Sequence, residues 1–191
     1  MIWRLLNIVH MKIRNSGFTL VELMVTIAIV ALLASLAVPS FHTMLVRRSV
    51  DSAADVLVSD LRFARSEAVK RSTVVTVCAS LNGTSCAGTG GLWKDGWIMF
   101  VDFDGDGNLE AAGGDRIVRV QGALASIASI AAADGTSQVN FRYQPTGWAK
   151  AATQTFVITP IGSVPSGSTR LVCVSTNGRA GLRLRGSTSC T

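Results

Sequence analysis

The sequence predicts an α+β fold in which one long N-terminal helix packs on antiparallel β-sheet or sheets built from seven or eight short strands. Three observations lead there. Apolar residues run from Phe18 to Val38 with Glu22 as the only charge. A helical pattern resumes after Pro39 but is now amphipathic, and from Thr73 onward short β-branched runs alternate with turn residues. No internal repeat is visible.

Phe18 to Val38 supplies 21 residues, and a bilayer core of about 30 Å needs roughly 20 in a helix. That length spans. A secretory signal would instead place a shorter apolar core ahead of its cleavage site, whereas here Gly17 and a basic leader come first, so the apolar segment survives any cut at Gly17. In the second half, Val50, Ala54, Leu57, Leu61, Ala64 and Ala68 recur at steps of three and four, a stripe suited to covering a sheet. Glu67 and Arg71 form a favourable pair four apart, and the helix is expected to stop near Arg71. Strands are then expected at 73–79, 97–102, 116–121, 126–131, 138–143, 155–159, 170–175 and 182–185.

The run Gly17-Phe18-Thr19-Leu20-Val21-Glu22 resembles the prepilin signal of the type IV pilin and pseudopilin family: Gly at the cut, Phe next, Glu fifth in the mature chain. The resemblance implies that a membrane peptidase, the prepilin peptidase, cleaves after Gly17 and N-methylates Phe18. It implies that Glu22 neutralises the terminal amine of a neighbouring pilin in the fibre, and that Pro39 kinks the helix. Residues 1–17 are then leader, 18–38 the membrane and assembly helix, 39–71 its amphipathic continuation and 72–191 a periplasmic β-rich domain. Met11 is an alternative start, and Lys12 and Arg14 hold the N-terminus in the cytoplasm. Within the family the chain is similar to the FimT/GspH-like minor pilins, through Leu61-Arg62-Phe63-Ala64-Arg65-Ser66-Glu67-Ala68-Val69-Lys70-Arg71, Val74 to Cys78, and Gly96 to Asp102 with its Asp/Gly turn. Members of that group serve DNA uptake or prime a type II secretion pseudopilus.

The formal charge of +6 falls to +3 once Arg4, Lys12 and Arg14 leave with the leader. What remains is asymmetric. No acidic side chain follows Asp134, while Arg142, Lys150, Arg170, Arg179, Arg183 and Arg185 do, which points to a polyanion or an anionic surface. In an oxidising periplasm the four cysteines read as two disulfides, with three pairings open. Cys78 with Cys86 and Cys173 with Cys190 are preferred because one closes a short loop and the other ties the tail to a strand. Neither their spacing nor the pair His10 and His42 supports a metal centre, and no cofactor is expected.

Asp102-Phe103-Asp104-Gly105-Asp106-Gly107-Asn108 looks like the start of a calcium loop, but Gly113 stands where a bidentate Glu is needed, so a hairpin turn is preferred. The C-terminal arginines carry more functional weight. On an extended strand Arg183 and Arg185 lie on one face about 6.7 Å apart with Leu182 and Leu184 turned inward, and Arg179 shares their parity. Guanidinium groups grip phosphate through paired hydrogen bonds without reading base sequence. DNA-binding FimT members are similar in carrying a Gly-Arg-x-Arg motif near a terminal cysteine bridge, but here Gly181 replaces the second arginine. Lys150 and Arg170 are candidates to widen the patch. A solvated strand face that deters edge pairing is the competing reading. Trp93, Trp97 and Trp148 are expected to seal the core rather than stack on bases.

No Ser/His/Asp set or phosphate-cradling Gly-rich loop is present, so an enzyme with a small-molecule substrate is not expected. The leading expectation is an inner-membrane minor pilin that binds double-stranded DNA non-specifically for natural transformation. The alternatives are a purely structural minor pilin or a GspH-like pseudopilin of type II secretion, and adhesion to an anionic surface. A Glu22→Ala subunit should anchor normally yet enter a fibre poorly, because it has no carboxylate to pair with a neighbour's terminal amine in the low-dielectric core. Incorporation equal to wild type in sheared fibres contradicts that role.

Overall fold

The computed structural model describes residues 17–88, 93–133, 140–150, 154–162, 167–187 and 189–190. The leader before Gly17, the side chain of Pro39, and the first two residues of the strand expected at 138–143 lie outside them. Among the described residues one α-helix, α1, runs Leu20–Arg71 and ends where the pattern predicts. Thr19 caps it: its hydroxyl accepts the Glu22 backbone N–H at 3.2 Å, which satisfies one of the free donors of the first turn. Two compact units are present, one ending at Ser40 and one starting at Phe41. In the first, α1 is apolar and long enough to cross a membrane, with its described side chains exposed.

The second unit holds two four-stranded antiparallel sheets. The strands are β1 Val74–Ala79, β2 Trp97–Asp102, β3 Arg116–Gln121, β4 Ile127–Ala132, β5 Asn140–Tyr143, β6 Gln154–Pro160, β7 Arg170–Val174 and β8 Ala180–Leu182. One sheet has the order β3-β2-β1-β5, the other β4-β6-β7-β8. The predicted α+β architecture is therefore observed, with the strands shared between two sheets.

Every residue of the predicted apolar stripe, Val50, Ala54, Leu57, Leu61, Ala64 and Ala68, is fully buried. They form one cluster with Val75, Val77, Trp97, Met99 and Phe141 of the first sheet and Ile130, Phe156, Ile158, Val172 and Val174 of the second. Three of the six are alanines, which allow the helix backbone to approach both sheets closely. Strand β6 alternates, burying Gln154, Phe156, Ile158 and Pro160. In β2 all six residues are buried. Its second face is covered by a separate cluster in which Cys78, Ile98 and Phe100 pack with Cys86, Leu109 and Ile117. The Cys78–Cys86 bridge belongs to that cover, and Cys173–Cys190 joins the tail to β7, so both preferred pairings are found.

Two helix carboxylates fasten the sheets. Asp60 is 4% exposed, and accepts the Trp97 indole N–H at 2.8 Å and an Arg119 N–H at 2.6 Å. Arg119 also lies over the Phe63 ring, 4.3 Å from its centroid. Asp51 does the same work for the second sheet, pairing with Arg170 at 2.9 Å and with Arg185. The predicted Glu67–Arg71 pair forms at 2.6 Å. Asp60→Ala leaves the buried Trp97 N–H without an acceptor and should lower unfolding free energy by about 2–3 kcal/mol. Asp60→Asn keeps a carbonyl for the indole and should lose less; urea unfolding that shows no loss in either variant refutes the fastening role.

Candidate functional site

The C-terminal arginines are not arranged as a strand face. Strand β8 ends at Leu182, after the pairs Val174↔Ala180, Cys173↔Gly181 and Val172↔Leu182. Arg183 makes one more backbone bond, its N–H to the Leu171 carbonyl at 3.1 Å, and the chain then turns, with Ser187 N–H on the Leu184 carbonyl at 3.2 Å. Strand parity is lost beyond that point. Leu184, expected in the core, is 84% exposed, because the bridge to Cys190 draws the tail back toward β7 instead of letting it extend.

This turn sends Arg183 and Arg185 to different partners. Arg185 pairs with Asp51, the carboxylate that also holds Arg170, so one negative charge serves both guanidinium groups. Both side chains are largely covered. Arg183 donates to the Cys190 carbonyl, and its own carbonyl accepts an Arg170 N–H at 2.8 Å. Arg179 and Arg183 do share a hollow beside the Cys173–Cys190 bridge. Lys150 joins neither group of arginines, since its ammonium donates to the Gly105 carbonyl at 3.0 Å.

A different basic surface emerges where the end of α1 meets the turn between β7 and β8. Arg62, Arg65, Ser66, Val69 and Lys70 from the helix and Gly178, Arg179 and Ala180 from the turn line an open groove of about 570 Å³. Positions 62, 65, 66 and 69 stand on one helix face by their spacing. The Nε of Arg62 donates to the Ala180 carbonyl at 3.2 Å and that of Arg65 to the Gly147 carbonyl at 2.9 Å. Neutral carbonyls orient these guanidinium groups without cancelling their charge, and among the described residues their Nη groups donate to no protein acceptor. Lys70 is 76% exposed and 3.9 Å from Glu67, whose carboxylate is already engaged by Arg71. Four cations therefore line the groove without a carboxylate among them.

Two glycines make this arrangement possible. Gly178 has φ +78°, and a Cβ there would stand 2.0 Å from the Gly147 carbonyl oxygen. Gly147 has φ +79° and would push a Cβ to 3.0 Å from Val69 and 3.2 Å from the Arg65 Nε. Only glycine accommodates both the left-handed backbone and the contact. The turn at 175–179 is closed by Gly178 N–H on the Ser175 carbonyl at 2.8 Å, and Ala149 N–H reaches the Thr176 carbonyl at 3.0 Å. Sequence reading missed Arg62 and Arg65. A usable signal was present: neither has an acidic residue three or four positions away, whereas Arg71 has Glu67.

The acidic loop turns at Gly105 and Gly107, whose φ angles are +72° and +93°. Asp102 is fully buried, and accepts the Gly105 and Gly107 backbone N–H groups at 2.7 and 3.1 Å and the Thr76 hydroxyl at 2.6 Å. Burial pushes its carboxyl up from the usual value, against the pull of these bonds. A raised acid favours the fold at low pH, and this contribution is lost as pH climbs from the unfolded value through the raised one. Asp106, exposed, is held low first by the Asn108 backbone N–H, then by the Asn108 side chain. Carboxylate oxygens of Asp102, Asp104 and Asp106 come within 4.8 Å of one another. Cationic side chains already occupy the loop carbonyls: Arg142 donates to Gly105 and Asp106 at 2.9 and 3.0 Å, beside Lys150.

Comparison with known proteins places this fold. No curated protein sequence matches the chain. The crystal structure of the type IV minor pilin FimU of Pseudomonas aeruginosa is similar, with a TM-score of 0.56, 19% identity, and cover of 72% of this chain and 90% of that one. A second crystal form of FimU gives a TM-score of 0.52 at 19% identity, covering 70% and 92%. At that identity the likeness speaks for the fold. Residues 12–38 match the prokaryotic N-terminal methylation motif, which implies prepilin peptidase processing and assembly with other pilins. Residues 53–178, well over half of the chain, match the family described as type II transport protein GspH, and the chain therefore belongs to the GspH family of type IV pilins and pseudopilins.

Proposed function

We propose that this chain is a minor type IV pilin that holds extracellular double-stranded DNA by its phosphates for uptake in natural transformation. The carrying observation is the groove between α1 and the β7–β8 turn, lined by Arg62, Arg65, Lys70 and Arg179 with no acidic residue among its described lining. Guanidinium groups already oriented by carbonyls lose little freedom on meeting phosphate, and a row of them binds a regular polyanion without reading its sequence. Prepilin peptidase cuts between Gly17 and Phe18 at the inner membrane and methylates Phe18. Glu22 then selects neighbouring pilins, and the domain from Phe41 onward faces the periplasm and later the fibre surface. No catalysis is involved.

In this reading Arg179 keeps the role expected of it, Arg62, Arg65 and Lys70 replace Arg185 and Arg170, and Arg183 stands at the margin. The tail arginines instead brace the second sheet through Asp51. The entire buried cluster and both disulfides lie beyond Phe41, so the segment from Phe41 serves for binding measurements. Combined Arg62, Arg65 and Arg179→Ala substitution should weaken duplex binding for all sequences and reduce the slope of log affinity against log salt by about 2.7, at about 0.9 per phosphate contact. Arg185→Ala should lower thermal stability and leave that slope unchanged. A wild-type domain with no duplex affinity in dilute buffer overturns the uptake role and leaves a structural pilin or a GspH-like pseudopilin. Loss of binding in Arg185→Ala alone, with the fold intact, moves the site to the tail.

A further inference from the structure

The tryptophans divide in a way the sequence did not predict. Trp93 and Trp97 are 3% and 0% exposed, sealing the core as expected, but Trp148 is 56% exposed. An isolated exposed indole is unremarkable on its own. What distinguishes this one is the loop that carries it. Gly147 N–H bonds the Gln144 carbonyl at 2.8 Å and Gln144 N–H bonds the Trp148 carbonyl at 2.8 Å, so the turn is closed twice. Pro145 occupies its second position, where a fixed φ suits a tight turn. Ala149 then pairs with Tyr143 across a β-bridge and with Thr176 across the neighbouring turn.

This braced loop touches groove-lining residues through its backbone. Arg65, which lines the groove, donates to the Gly147 carbonyl, the residue immediately before Trp148. The same carbonyl abuts Gly178, and the Gly147 backbone lies against Val69, both groove-lining residues. A solvent-exposed indole thus follows directly in the chain the carbonyl that anchors one of the groove's guanidinium groups. In a duplex the base faces are already stacked, so an indole gains contact only with a base that is unpaired. Pairing a flat aromatic surface with adjacent phosphate-binding cations is the arrangement that holds single strands.

We propose that Trp148 is a stacking platform and that the groove takes single-stranded DNA, or the frayed end of a duplex, with a base on the indole and its neighbouring phosphates on Arg62, Arg65 and Arg179. This rests on the phosphate-binding reading of the groove and adds to its grip on the duplex backbone a contact for unpaired bases. Bases of any identity are accepted, because each has a π-face.

The test uses the full chain in neutral detergent micelles, with fluorescence-labelled oligothymidylate and a blunt duplex of equal length compared at one salt concentration. Trp148→Ala should weaken oligothymidylate binding about fivefold or more and change duplex binding by less than about twofold. Trp148→Phe, which keeps a ring, should recover part of the loss. Quenching of indole emission on adding the single strand should be greater in wild type than in Trp148→Ala, which keeps Trp3 and the buried Trp93 and Trp97. Single-strand affinity in a folded Trp148→Ala equal to that of wild type, with no quenching of wild-type emission, overturns the stacking role. If the Arg62, Arg65 and Arg179 variant meanwhile loses duplex binding, the phosphate groove stands without it. A Trp148→Ala chain that binds both nucleic acids normally but fails to enter fibres also overturns it, and assigns the indole to a contact between subunits.

Discussion

The second half of α1 has to satisfy two sheets at once, and the rest of the ectodomain follows from that constraint. A single apolar stripe, Val50 to Ala68, contributes buried residues to one cluster with both sheets. Neither sheet can bury its inner face without the helix. Alanines at 54, 64 and 68 let the backbone come close, while Leu57 and Leu61 fill the depth between. Removing a leucine from such a site costs about 2–5 kcal/mol because two packed layers are left facing a void.

Polar groups on the flanks of that stripe determine the rest. Asp60 and Asp51 are the points where helix and sheets exchange charge as well as apolar surface. Asp60 is nearly fully buried, so its carboxylate needs both the Trp97 indole and the Arg119 guanidinium. Asp51 draws Arg170 and Arg185 inward in the same way. Arginines that look like surface cations in the sequence are thereby committed to architecture. Those left with uncancelled charge are held by carbonyls, as Arg62 and Arg65 are.

The groove illustrates why a local pattern can mark the right chemistry on the wrong residues. A basic C-terminal region and a Gly-Arg pair at 178–179 were legible in sequence, and Arg179 does line the groove. Arg183 and Arg185 were assigned to its face by strand alternation, but β8 has three residues and alternation ceases beyond them. Arg62 and Arg65 enter from a helix more than a hundred positions earlier, brought there by the close contact of Gly147 with Gly178. Trp148 is expected in the core with Trp93 and Trp97 for a related reason: glycine-flanked tryptophans look alike in sequence, and only the packing separates two buried rings from one exposed ring.

Local chemistry by itself determined the apolar run, the length of α1, its buried stripe, the extent of most strands and the preference for two local cysteine pairings. Each depends on residues close in the chain or on a periodicity that the backbone imposes. Which strands share a sheet, which arginines keep their charge available, and where the indole faces were decided only in three dimensions. These depend on pairings between distant residues, Asp51 with Arg185 and Arg65 with Gly147 above all. Competition among many cations for few buried carboxylates has no signature in local spacing.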